Sequence, residues 1–272
     1  MEYSKLSNAE GKIHNDTTMN SFFSTWWDNR IIRRSHTSQQ LWNQSIERLP
    51  ILDNLSTSEK QRLVNLSVLF LHYKSLEGAQ GLIVNQDMAH TIALQACLPI
   101  LQLGINWYDG WRSVIIYPSQ YIADRTEIDS IGVIHQQRSV LAGEAWQRGP
   151  VVLAWDETSN AAIIDGHNLV IHEFAHKLDV LNGSSNGFPP LHREMNIEKW
   201  SCAMSQAYDH FCELDTPPFS AYAATSPAEF FAVVCEVFFE KPALLNHLYR
   251  EIYQQYCAFF RQNPLTRERQ NY

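Results

Sequence analysis

The sequence predicts an α+β fold in which helices flank a small sheet. Three observations carry that reading. Apolar residues recur at three- and four-residue spacing from Ser38 to Lys74. Two short β-rich runs, SVIIY (113–117) and VVLAW (151–155), end at turn residues. The helical period then resumes at Leu169 and runs, with breaks, to about Arg261.

Taken in order, Leu41, Trp42, Ile46 and Leu49 line one helical face until Pro50 stops the run. Ser56-Thr57-Ser58-Glu59 has the form of a capping box and opens the amphipathic run Leu63 to Tyr73. Met88 to Cys97 reads as a helix halted near Pro99. After the two strand signals, a helix from Leu169 is stopped by Asn182-Gly183, and GSSNGFPP (183–190) is a loop. Glu194 to Leu214 is helical until Thr216-Pro217-Pro218. Ser226-Pro227 opens a helix to about Glu240, and Pro242 separates a last helix, Ala243 to Arg261. Residues 1–35 are expected to be a loosely ordered N-terminal arm, which the aromatic cluster FFSTWW (22–27) could anchor. Residues 36–272 are expected to form one domain, helical in its N-terminal part.

Composition narrows the function. The 272 residues are 45% hydrophobic and 18% charged, enough for a substantial core. The net charge is −8 and the longest basic cluster is Arg30, Arg33 and Arg34, which argues against direct nucleic-acid binding. Five cysteines form no CxxC pair and suit reduced thiols better than a disulfide framework. Residues 1–20 lack a signal-peptide core, and the most apolar window (91–108) is broken by Gln95, Pro99, Gln102 and Gly104. The expectation is a cytoplasmic protein with no membrane partner.

His172-Glu173-Phe174-Ala175-His176 is HExxH. Residues four apart share a helix face, so both imidazoles can meet one ion. A catalytic zinc needs three protein ligands and a position for water, whose pKa it lowers to about 7. Glu173 is then placed as the general base that takes the water proton and passes it to the leaving amine. The plainer alternative is a pair of helix histidines satisfied by hydrogen bonds. The apolar flanks Leu169-Val170-Ile171 weigh against it, because buried imidazoles beside a carboxylate are costly without a shared partner. A structural zinc site is disfavoured because no cysteine lies near the motif.

The third ligand stays open among Asp179, Glu194, Glu198, Glu229 and Glu236. Asp179 can receive the free N–H of His176 as an outer partner, or be a plain helix-end carboxylate. Glu229 and Glu236 are two turns apart on one face, and either can reach a metal while the other supports it. Glu229 has a structural alternative in the capping box Ser226-Pro-Ala-Glu229, and Glu236 in being a polar interruption of FFAVVCEVFF.

HEFAHKLDVLNG (172–183) and AYAATSPAEFFAVVCEVFF (221–239) together resemble the Mlc titration factor A family of zinc peptidases. EGAQGL (77–82), TIALQACLPIL (91–101), WYDGW to SVIIYP (107–118) and GEAWQRGPVVLAW (143–155) extend the likeness, in family order, over roughly 40–265. The resemblance implies a zincin-like fold akin to the anthrax lethal factor catalytic domain, with a small mixed sheet beside the active-site helix. It implies one zinc ion per chain on His172, His176 and Glu229, with Glu173 as base, and so prefers Glu229 to Glu236, which with Asp179 becomes outer support. Tyr222 matches a tyrosine that hydrogen-bonds the oxyanion; otherwise it is a loop residue packed on Pro227. The implied activity is that of an aminopeptidase acting on peptides, and the implied partner is a Mlc-type transcriptional repressor that the protein would titrate. Since zincins commonly bind peptides by strand addition, VVLAW is expected to be the edge strand that pairs with substrate.

Overall fold

The computed structural model describes residues 17–35, 37–119, 121–128, 134–141, 143–145, 149–160 and 163–268, with side chains over 26–35, 37–119, 149–160 and 163–267. Two compact units follow one another, Met1–His36 and Thr37–Tyr272. In the first, Thr17–Arg34 forms helix α1, within the arm expected to be loose. Arg33 and Arg34 in its last turn complement the carbonyl end of the helix dipole. Residues 1–16 and 269–272 lie outside the described residues.

The second unit begins with α2 (Gln39–Glu47) and α3 (Thr57–Tyr73). Ser38 caps the first through Leu41 N, and the Ser56–Glu59 box caps the second in both directions. Strand β1 (Ser75–Gly78), helix α4 (Gln86–Cys97) and strand β2 (Ser113–Tyr117) come next. An antiparallel ribbon of β3 (Tyr121–Ile128) and β4 (Ile134–Leu141) leads to β5 (Gly143–Ala145) and β6 (Val151–Ala154). Helices α5 (Trp155–Ser159), α6 (Leu169–Asp179), α7 (Ile197–Cys212), α8 (Pro227–Glu240), α9 (Pro242–Leu248), α10 (Arg250–Phe260) and α11 (Pro264–Glu268) complete it. Among the described residues no helix is long and apolar enough to cross a membrane.

The main sheet has the order β1-β2-β6-β5. β1, β2 and β6 run parallel and β5 antiparallel, so the sheet is mixed, and the α+β zincin-like architecture stands. One expectation is corrected. VVLAW is not an edge strand, because β6 pairs with β2 on one side and β5 on the other, with Val152 opposite Ile115 and Glu144. Val151, Val152, Leu153 and Ala154 are accordingly all buried, as strands covered on both faces require. Trp155 belongs to α5 rather than to the strand.

Helix α6 lies against this sheet by its apolar residues. Val170, Ile171, Phe174, Ala175 and Leu178 are buried. Phe174 packs edge-on to Tyr108 and Trp111 and tilts against Phe70, with centroids 5.2–5.6 Å apart. Its loss to alanine would cost about 3–5 kcal/mol, the range for a large core aromatic. Helix α8 is buried all round from Phe230 to Glu240, which explains a run without amphipathic contrast. Trp200 of α7 stacks on Tyr256 of α10 beneath it, at 5.6 Å. The site therefore rests on two helices held from several sides.

Candidate metal centre

Helix α6 starts at Asn168, whose Oδ1 accepts from Ile171 N, and it ends in a turn closed by Gly183 at φ +114°. This places His172 and His176 one turn apart on the same side. Helix α8 starts at Ser226, whose Oγ accepts from Glu229 N at 3.2 Å. Only half of a capping box forms there, because the Glu229 carboxylate is turned to the two imidazoles. Its Oε2 lies 3.0 Å from His172 Nε2 and 3.2 Å from His176 Nε2, and the two Nε2 atoms are 3.2 Å apart.

Those three edges test the fit of an ion. Ligand atoms about 2.0 Å from a tetrahedral metal stand roughly 3.3 Å apart, close to the distances here. Two neutral imidazole nitrogens and a carboxylate oxygen also form a donor set that suits zinc. Without a cation or a proton between them, their lone pairs would repel. Among the described residues, these three form the group of His, Cys, Asp and Glu side chains able to hold a metal. The His172 and His176 side chains are each 12% exposed and Glu229 21%, so solvent reaches the group.

Electrostatics agree with this picture. Burial disfavours charge on His172, but its bonds to Glu229 and Glu236 outweigh that and hold its pKa well above the ordinary value. Burial alone would raise Glu229. Its bonds to His172 and His176 more than reverse this and hold the carboxyl far below the carboxylate range. Glu173 is 4% exposed and its Oε2 has no hydrogen-bond partner among the described residues. Burial, opposed by His172 and His176 and aided by Glu229 and Glu236, lifts its pKa to about 7. A buried, half-unpartnered carboxylate one residue from a ligand candidate is suited to exchanging a proton.

The other expected residues fall into place unequally. Glu236 Oε1 lies 2.8 Å from His172 Nδ1, while its Oε2 accepts from Asn168 N at 2.6 Å. A carboxylate on Nδ1 puts the proton there and leaves Nε2 free to bind. Tyr222, in the turn Ala221–Thr225, has its ring 6.1 Å from the His172 ring and is half exposed. Asp179 is fully buried, but its Oδ2 accepts from Ser185 Oγ at 3.1 Å and Gly187 N at 2.9 Å. Its Oδ1 has no partner among the described residues. So Asp179 holds the loop after α6 rather than the His176 ring. Gly187 must be glycine there, with φ +75° and a Cβ position 2.5 Å from Pro227 O. Glu194 pairs with Arg261 at 2.5 Å and Glu198 is exposed on α7; neither joins the group.

Sequence reasoning missed Asn168, Gln95 and Glu240, which meet around the start of α6. The position of Asn168 just before an apolar helix run was an available signal for its cap role. Nothing local marks the other two.

Comparison with known proteins covers most of the chain. A family model described as "Glucose-regulated metallo-peptidase M90" matches residues 23–261. A protein of Klebsiella pneumoniae named Mlc titration factor A is 39% identical over 254 residues, covering 90% of this chain and 94% of that protein. Proteins of the same name from Yersinia enterocolitica and Yersinia pestis are 38% and 39% identical over 233 residues, covering 83% of this chain and 86% of theirs.

Proposed function

The chain belongs to the glucose-regulated metallopeptidase family M90, and from that premise we propose that it hydrolyses peptide bonds as a zinc-dependent, aminopeptidase-like enzyme. The observation that carries this reading is the triangle of His172 Nε2, His176 Nε2 and Glu229 Oε2, with Glu173 beside it on the same helix. His172, His176 and Glu229 would hold one zinc ion. When bound, zinc supplies a water acidified to a pKa of about 7 and polarises the scissile carbonyl.

The chain's own residues do the rest. Glu173 takes a proton at its carboxylate and returns it to the leaving amine. A pKa near neutrality suits both directions of transfer. Glu236 fixes the His172 ring by its 2.8 Å contact at Nδ1. Tyr222, beside that ring, would donate its hydroxyl proton to the oxyanion that develops as the carbonyl is attacked. An extended peptide would pair with β5, which takes over the edge role first expected of VVLAW.

Glu173→Gln tests the mechanism. Hydrolysis should fall by about 10²-fold or more, with zinc content and fold retained. Full activity in the variant would sink the proposed chemistry.

A second reading is favoured by the name that the relatives carry, Mlc titration factor A. In it, this chain binds and titrates a Mlc-type transcriptional repressor, and hydrolysis is secondary. Glu173→Gln separates the two, since repressor binding would survive a change that removes only the base.

A further inference from the structure

Asn168 stands at a junction of buried hydrogen bonds that begins at His172. Glu236 bridges His172 Nδ1 to the Asn168 backbone N–H, at 2.8 and 2.6 Å. Around that amide the Asn168 side chain is bonded at each polar atom. Its Oδ1 accepts from Ile171 N at 3.0 Å, and its Nδ2 donates to Gln95 Oε1 at 2.9 Å and Glu240 Oε1 at 3.2 Å. Glu240 Oε2 in turn accepts from Gly166 N at 2.9 Å, and Gln95 Nε2 donates to Thr91 O at 3.1 Å. The four side chains Gln95, Asn168, Glu236 and Glu240 are 0–6% exposed. Helices α4, α6 and α8 and the segment leading into α6 thus share one network.

Such a network is an expensive way to join helices. Apolar side chains of similar volume would pack as well without the desolvation cost of two carboxylates one turn apart on α8. What apolar packing lacks is direction. The bonds to Gln95, Glu240 and Ile171 N fix where the Asn168 amide points, the amide fixes the Glu236 carboxylate, and the carboxylate fixes the rotation of the His172 ring. Outer partners of this kind commonly change metal affinity by 10–100-fold.

We propose that Asn168, Gln95 and Glu240 are positioning residues that set the metal affinity of the centre by holding Glu236 on His172. This rests on the reading of His172, His176 and Glu229 as the ligand set. Two variants break the network without removing a ligand. Glu240→Gln puts an amide donor against Asn168 Nδ2 or Gly166 N. Asn168→Asp keeps the cap oxygen but loses both side-chain donors and faces Glu240 with a second carboxylate.

The measurement is zinc affinity of the metal-free full chain, by competition with a fluorescent chelator at fixed pH. Thermal unfolding of the same metal-free samples is recorded alongside. Val64→Ala, a cavity in α3, is the control for general destabilisation. Both network variants should bind zinc about tenfold or more weakly, while Val64→Ala loses thermal stability and keeps the parent affinity. If either network variant fails to fold, Gln95→Met, which removes the acceptor of Asn168 Nδ2 at similar volume, is read in its place. Affinities within twofold of the parent overturn the proposal, as does an equal loss in Val64→Ala. A parent that takes up no zinc overturns the ligand set and this inference with it. A parent that binds one equivalent, lost in His176→Ala but unchanged in the network variants, overturns this inference alone.

Discussion

The Lys177 ammonium lies 2.8 Å from the Gly149 carbonyl oxygen, tying the helix of the two histidines to the residue just before Pro150 and β6. Lys177 is 1% exposed and its Nζ stands 5.2 Å from the centre of the Trp111 ring. Lys74 sits 4.0 Å from the same ring and donates to the Tyr108 and Trp111 carbonyls. Two buried cations share one indole, and burial lowers the pKa of each to about 8. The charged form is therefore penalised at neutral pH. Lys177→Met keeps the apolar stem and removes a buried charge. The variant is expected to match or exceed the parent at pH 7, by about 1 kcal/mol after screening is allowed for. Urea unfolding checks it, and a loss above 2 kcal/mol would show that the ammonium stabilises.

The same two lysines fix a pH dependence. Their folded pKa of about 8 lies below the ordinary 10.5. Between those values the unfolded chain binds more protons, so the lysine contribution makes stability rise with pH and is absent below about 8. Buried Cys97, Cys235, Tyr108 and Tyr256, all raised by burial, act in the opposite direction at high pH. The informative quantity is thus the difference between parent and Lys177→Met. The advantage of the variant should shrink from pH 8 to pH 10, measured as paired unfolding free energies. A constant difference would remove the titration of Lys177 as its cause.

Strand β6 is central, and this changes what a proline does there. At Leu153, fully buried and opposite both Ile116 and Gly143, proline removes a ladder donor and costs about 3 kcal/mol or more. Leu153→Pro should lose its cooperative unfolding transition by circular dichroism rather than show an altered KM. A folded variant with raised KM alone would return the substrate-edge role to β6.

Much of this fold is legible in the sequence where period and caps agree. Ser56 with Glu59 opens α3 and Ser226 opens α8, their side chains accepting from the first free N–H groups, while Pro227 at the first helical position has no N–H to satisfy. The failures have physical causes. β1 (SLEG) and β5 (GEA) are too short and polar to show a period, and they exist through their neighbours. Without β5, VVLAW looked like an edge. The last helix divides at Tyr249, at φ −135° and ψ 65°, with no glycine or proline to announce it. At the site, spacing put Glu229 and Glu236 on one face and could not choose between them. The structure turns both to His172, Glu229 to Nε2 and Glu236 to Nδ1. Gln95 and Glu240 meet Asn168 across 73 and 72 residues of sequence, a distance no local pattern spans.

Metal addition gives the broadest test of the centre. His172, held well above its ordinary pKa by Glu229 and Glu236, carries a proton in the metal-free chain that an incoming ion must displace. Zinc at about a hundred times its Kd should add about 2.7 kcal/mol. For a chain of this length that corresponds to a Tm rise of roughly 5–10 °C. The rise should be larger at pH 8 than at pH 6, because protons compete for the same nitrogen, and a chelator should reverse it. His176→Ala should abolish it, since two donor atoms no longer enclose the ion. Thermal scans of parent and variant, without zinc and with free zinc buffered at about a hundred times the parent Kd, read all of these at once. An equal zinc-induced rise in His176→Ala would place the metal elsewhere on the chain.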